Sequence, residues 1–121
     1  MGAPPDAKRE HARVKPASGQ PIEVHIMGDG FLEVLRARDI SVGGLAVFVS
    51  HDFNGCDIDD PVDVIIKLGQ ERPFTVRGII RHASRHANDH FFGVKFSNLS
   101  AEHMERIRRY VERRLAEGGA V

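Results

Sequence analysis

The chain of 121 residues predicts a mainly β protein: a six-stranded antiparallel barrel of Greek-key or split type, with a C-terminal α-helix and a flexible basic N-terminal arm. Three observations predict it. Short runs alternate apolar and polar residues with period two, clusters of Gly, Asp and Pro punctuate those runs at near-regular spacing, and only the last segment changes to a helical period. The length suits one domain able to bury its own core without metal or disulfide staples.

Composition narrows the class further. Seventeen basic and seventeen acidic residues cancel, so no long-range field draws nucleic acid or anionic lipid, and an anion site must be local. The single cysteine, Cys56, has no internal partner. The N-terminus lacks the apolar core of a secretory signal, and no run approaches the roughly 18 apolar residues of a membrane span. A cytoplasmic protein with neither nucleic-acid binding nor membrane insertion is expected.

Residues 1–20 are rich in Pro, Gly, Ala and charge, the composition of a segment unable to offset its ordering entropy, and form the expected flexible arm. Lys8, Arg9, Arg13 and Lys15 surround Glu10 and His11 there, a local basic patch in a neutral chain. The barrel and helix take residues 21–121. Ile22, Val24 and Ile26 alternate with polar neighbours as a first strand, and Gly28-Asp29-Gly30 reverses the chain. A second strand with less regular alternation runs from Phe31 to Ile40. Leu45, Val47 and Val49 mark the third strand, Val62 to Leu68 the fourth, Phe74 to about Ala83 the fifth and Phe91 to Phe96 the sixth. Gly69 to Arg72 supplies a turn, as does a His-rich stretch before Phe91.

The closing helix is expected over about 99–117. Ser100 suits the N-cap, and Glu102 favours the first turn. Leu99 can staple to Met104, and Gly118 suits the stop. Met104, Ile107, Val111 and Leu115 fall on one expected apolar face.

The stretch Arg38-Asp-Ile-Ser-Val-Gly-Gly44 combines a carboxylate, a hydroxyl and two glycines at the end of an apolar run. Asp39 can accept from a planar donor edge, Ser41 can give or take one bond, and Gly43 and Gly44 permit positive φ or close approach of a ligand. An ordinary strand-to-strand turn uses the same residue types, so this stretch alone leaves both readings open.

The second motif decides between them. Arg9 and Arg13 form Arg-x-x-x-Arg directly before the first strand, and Asp39, Ser41 and Gly44 form Asp/Asn-x-Ser-x-x-Gly after the second. Together they resemble the PilZ domain, the bacterial receptor module for cyclic di-GMP, and Gly93-Val94-Lys95-Phe96 resembles its Gly-Val-x-Phe segment. The resemblance spans nearly the whole chain. It implies a non-enzymatic, cyclic di-GMP-binding receptor or adaptor without cofactor, with the ligand on Arg9, Arg13, Asp39, Ser41, Gly43 and Gly44, and Lys8 extending the patch. It also implies an arm that folds over the ligand and signals to an unidentified downstream protein in motility or biofilm control, from a monomer or weak homodimer. The chemistry agrees: arginine forks a phosphate or the guanine O6/N7 edge and stacks on the base, while a carboxylate accepts from guanine N1 and N2 hydrogens, an edge adenine lacks.

Other readings have less behind them. A nucleotide-independent PilZ-type interaction adaptor would not need the five matching motif residues. A split-barrel flavin reductase would want aromatic rings, and the chain has no Trp and one Tyr. His82, His86 and His90 recur every fourth residue but across an expected strand end and turn, where their rings do not converge on a metal. Asp52, Asp57, Asp59 and Asp60 lack the order of a calcium loop, and Cys56 lacks a partnered His.

Overall fold

The structure, a computed structural model, describes residues 11–50, 57–86 and 89–121, with the backbone alone at 85, 86 and 89. Strands β1 (Glu23–Gly28), β2 (Phe31–Ser41), β3 (Gly44–Phe48), β4 (Pro61–Ile66), β5 (Phe74–His86) and β6 (Asp89–Ser97) precede helix α1 (Ala101–Ala116). All neighbours pair antiparallel in the order β1-β2-β3-β6-β5-β4, and β1 closes on β4. The expected six-stranded barrel with one C-terminal helix is what the chain forms.

Inward-facing positions follow the alternation of the sequence. Val24 and Ile26 from β1, Val62, Val64 and Ile66 from β4, and Val47, Phe92 and Val94 from β3 and β6 fill the barrel. Two strands break step. In β2, Ala37 pairs with Val47 but Asp39 pairs with Ala46, so Arg38 is an extra residue, and Ala37 and Ile40 both face the core. In β5, Ile80 pairs with Val94 and His82 with Gly93, leaving Arg81 as the extra residue. A bulge of this kind turns two consecutive side chains to the same face, which regular pleating forbids.

β5 and β6 extend further toward each other than the sequence suggests, with Ser84 opposite Phe91 and His86 opposite Asp89. His82 therefore sits within a strand rather than at its end. The sequence from Ser84 to His90 has no apolar-polar alternation to read.

Helix α1 is capped as expected: the His103 N–H donates to Ser100 Oγ at 3.1 Å. Gly118, at φ +86°, ends it, with its N–H donating to Leu115 O and the Gly119 N–H to Arg114 O, the paired bonds of a Schellman motif. The buried face differs from the expected one. Ile107, Tyr110 and Val111 are buried, whereas Met104 and Leu115 are 45% and 40% exposed. The helix axis is rotated because Phe74 of β5 seats it: His103 stacks on that ring at 4.6 Å, and the Arg106 guanidinium lies 4.5 Å from its centroid. Arg106 also pairs with Glu71 at 3.1 Å and donates to the Arg72 carbonyl.

Residues 13–17 run between β2 and the end of α1. Val14, fully buried, exchanges backbone bonds with Ile40 at 3.0 Å in both directions and bridges to Ala120 on its other side. The Lys15 N–H donates to Gly119 O, the Val121 N–H to Arg13 O, and Arg114 Nε to Lys15 O at 2.8 Å. Burial raises the Tyr110 phenol above its ordinary value, and Tyr110 meets the Ala17 backbone.

Removing the seat of the helix tests this packing. Phe74→Ala should destabilise the fold by about 3 to 5 kcal/mol, the usual range for deleting a buried aromatic ring. Urea unfolding followed by circular dichroism measures it, and a loss below about 1 kcal/mol would show that α1 docks by other contacts.

Candidate functional site

The site is built by the register of four strands. Asp39, Ala46, Gly93 and His82 lie abreast across β2, β3, β6 and β5. Ser41, Gly44, Lys95 and Ile79 form a second outward row, and the inward row between them is Ile40, Leu45, Val94 and Ile80. The centre of the outer face thus carries an alanine and two glycines, and its two edges carry the bulged pairs Arg38 with Asp39 and Arg81 with His82. Small residues flanked by long cationic ones leave a shallow slot.

A cavity of about 580 Å³ occupies that slot, lined among others by His11, Arg13, Ser41, Arg81, His82 and Lys95. Its volume lies within the roughly 300 to 1,000 Å³ of small-molecule sites. Phe91 forms one wall: its ring holds the Arg38 guanidinium at 4.2 Å and lies 5.5 Å from His82. Leu99 and Met104 border the other end, which explains an exposed methionine on α1. Arg81 also pairs with Asp59 at 3.2 Å, with both side chains more than half exposed, a contact worth little in water.

Asp39 lies beneath the lining rather than on it. Its side chain is 3% exposed, with Arg13 Nη1 at 3.9 Å from one carboxylate oxygen and Arg38 Nη1 at 3.5 Å from the other. Ser41 Oγ accepts from the Gly43 N–H at 3.1 Å and lies 3.4 Å from the Gly44 carbonyl, so the hydroxyl ties its own turn together.

The two glycines serve close approach and not positive φ, since neither is in the left-handed region. A Cβ on Gly44 would lie 2.2 Å from the Val94 carbonyl oxygen, and one on Gly43 would lie 2.8 Å from the His11 ring. Gly44 lets β3 meet β6; Gly43 leaves room for His11 over the turn.

Of the expected site residues, Arg13, Asp39, Ser41, Gly43 and Gly44 come together here, while Lys8 and Arg9 lie outside the described residues. Sequence reasoning gave no site role to His11, Arg38, Arg81, Phe91 or Lys95. The skipped phase at Ala37-Arg38-Asp39-Ile40 was a readable sign of the first bulge. Among the described residues no group of three or more His, Cys, Asp or Glu is placed to hold a metal. Cys56 and Asp52 lie outside the described residues. Asp57, Asp59 and Asp60 form a local turn, the Asp57 N–H donating to Asp60 Oδ2 at 2.7 Å.

Fold and groove define a small closed β-barrel with a cation-rimmed cavity on its outer wall. Residues 7–113 match the model of the PilZ domain, and the chain belongs to that family. Solved structures share the fold. The inhibitor of motility MotI/DgrA of Bacillus subtilis superposes with a TM-score of 0.76 at 19% identity, over 91% of this chain and 52% of that one. The PilZ domain of YcgR from Escherichia coli, solved with c-di-GMP, gives 0.74 at 15% identity, over 92% and 94%. The MrkH–c-di-GMP complex of K. pneumonia gives 0.76 at 14% identity, over 91% and 53%. This chain thus spans about half the length of the MotI and MrkH chains. No curated protein sequence matches it. No helix among the described residues is long and apolar enough to cross a membrane.

The glycine geometry gives a paired prediction. Gly44→Ala drives a Cβ into backbone atoms that cannot swing away, so it should cost about 3 kcal/mol or more. Gly43→Ala meets only the far edge of a side chain and should cost under about 0.5 kcal/mol. Thermal unfolding of the two variants compares them, and equal melting temperatures would contradict the β3–β6 approach.

Proposed function

We propose that this protein is a non-enzymatic receptor for cyclic di-GMP that passes ligand occupancy to a downstream protein through its N-terminal arm. The observation that carries the reading is the convergence of Arg13, Asp39, Ser41, Gly43 and Gly44, drawn from two separate motifs, around one cavity of nucleotide size. Family membership and neighbours solved with c-di-GMP support it.

The ligand's chemistry matches the lining. Two phosphodiester charges call for the cations Arg13, Arg81 and Lys95, with arginine able to fork a phosphate or a guanine edge. The flat floor over Ala46 and Gly93 leaves room for a purine, and Phe91 offers an aromatic wall. Arg9, four residues before Arg13, would close the site from the arm.

Transmission follows from where residues 13–17 are held. Their backbone is bonded to β2 on one side and to the tail after α1 on the other. A ligand that draws Arg13 into the cavity therefore pulls on a segment already joined to the helix end, which gives occupancy a mechanical route to α1. The exposed residues among 11–20 and on α1 would present that change to a partner.

Two measurements test the reading. Isothermal titration of the whole chain should show cyclic di-GMP binding with micromolar or tighter affinity and clear preference over cyclic di-AMP and GTP. Arg9→Ala and Arg13→Ala should each weaken it at least about tenfold, equivalent to 1.4 kcal/mol. No binding heat from a folded protein would remove the function. In hydrogen exchange, the amides of Lys15 and Val121 should slow when ligand binds, and exchange unchanged at both would uncouple the site from α1.

A further inference from the structure

Arg38 belongs to neither motif, yet of the two described cations beside the buried carboxylate of the site it is the nearer. Its position is costly to arrange. A bulge gives up one residue of the β2–β3 ladder, and its effect is to place Arg38 and Asp39 on the same face. A carboxylate buried as deeply as Asp39 is expensive unless cations or donors compensate it. Arg13 and Arg38 each take one of its oxygens, at 3.9 Å and 3.5 Å.

The two cations are not equivalent. Arg13 sits half-exposed on the arm and lines the cavity, so a phosphate or a guanine edge can claim it. Arg38 is held within β2, and its guanidinium lies over Phe91 of β6 at 4.2 Å with Nη1 3.5 Å from Asp39 Oδ2, an ion-pair contact. Phe91 is in turn backed by His82.

We infer that Arg38 is a positioning residue for ligand selectivity: it compensates the buried Asp39 carboxylate and holds it in place under the groove while Arg13 exchanges that carboxylate for the nucleotide. This rests on the proposed cyclic di-GMP reading. Without Arg38, each binding event that draws Arg13 away leaves a buried carboxylate with less compensation, and the affinity for the guanine nucleotide falls. An amide at position 39 has no charge to compensate, so Arg38 has nothing to contribute there.

A double-mutant cycle on the whole chain reads this directly. Arg38→Met keeps an aliphatic stem over Phe91 and removes the charge. Asp39→Asn keeps the shape of the motif, which accepts either residue at that position. In the otherwise wild-type chain Arg38→Met should weaken cyclic di-GMP binding by about tenfold and narrow its preference over cyclic di-AMP, and Arg38→Lys should restore part of both. In the Asp39→Asn background the same change should alter affinity less than about twofold. A full Arg38→Met loss that persists in the Asp39→Asn background would overturn the inference and make Arg38 a direct ligand contact. Unchanged affinity and selectivity in Arg38→Met, with a lowered melting temperature, would reduce the residue to a structural role. Should Arg38→Met not fold, Arg38→Gln removes the charge with a smaller change of shape, and selectivity left intact in that variant would equally overturn the inference. Failure of the unmodified chain to bind cyclic di-GMP would instead remove the functional reading itself.

Discussion

The ion cluster at Asp39 depends on a single irregularity in a ladder. A regular β2 would point Arg38 and Asp39 to opposite faces and would send either the carboxylate or Ile40 to the wrong side. The extra residue resolves the conflict: Ala37 and Ile40 both enter the core, and the two charged neighbours both leave it. Barrel closure and site chemistry are therefore not separable here, because the step that lets Ile40 pack beside Val14 also puts a carboxylate beneath two guanidiniums. A matching step in β5 places Arg81 and His82 on the opposite edge, so the slot owes both its rims to bulges and its flat floor to the small residues between them.

The described part of the arm follows from the same place. Ile40 is the residue to which Val14 bonds, and Val14 is the residue to which the tail returns. The chain thereby joins three distant parts of its sequence within one short stretch of backbone. Arg114, with its side chain only 12% exposed, reinforces the join by donating to the Lys15 carbonyl while pairing with Glu117. A Cβ at Gly119 would lie 2.5 Å from the Arg114 guanidinium, so the glycine after the helix stop also makes room for the side chain that holds the arm. Hydrogen bonds of this kind contribute about 1 kcal/mol each, which is enough to hold a segment in place yet small enough for a charged ligand to redirect it.

Much of this was legible in the residues and some was not, for physical reasons. Strand alternation, the Ser100 cap and the Gly118 stop are local properties, and each strand and the helix came out within a few residues of expectation. The buried face of α1 was not local. Met104 and Leu115 have the right spacing for a core stripe, but Phe74 and its partners His103 and Arg106 rotate the helix so that Tyr110 enters and those two stay out. The same limit applies to the site. Asp39, Ser41 and Gly44 announce themselves by residue type, whereas Phe91, Lys95 and Arg81 matter only because pairing sets β6 and β5 beside β3. Period-two patterns give no partner order, and crossing from β3 to β6 is what assembles the groove.

The residues of the groove differ in how they are attached. Ala46, Gly93, Lys95 and His82 sit on paired strands whose positions are fixed by closure of the barrel, and Ser41 is tied to its own turn. Arg13 is different, since its backbone belongs to a two-sided join and its side chain reaches the cavity from the arm. Any ligand seated in the slot meets a rigid floor and one adjustable wall. The charge is shared between the two: Arg81 and Lys95 come from the paired strands and Arg13 from the arm.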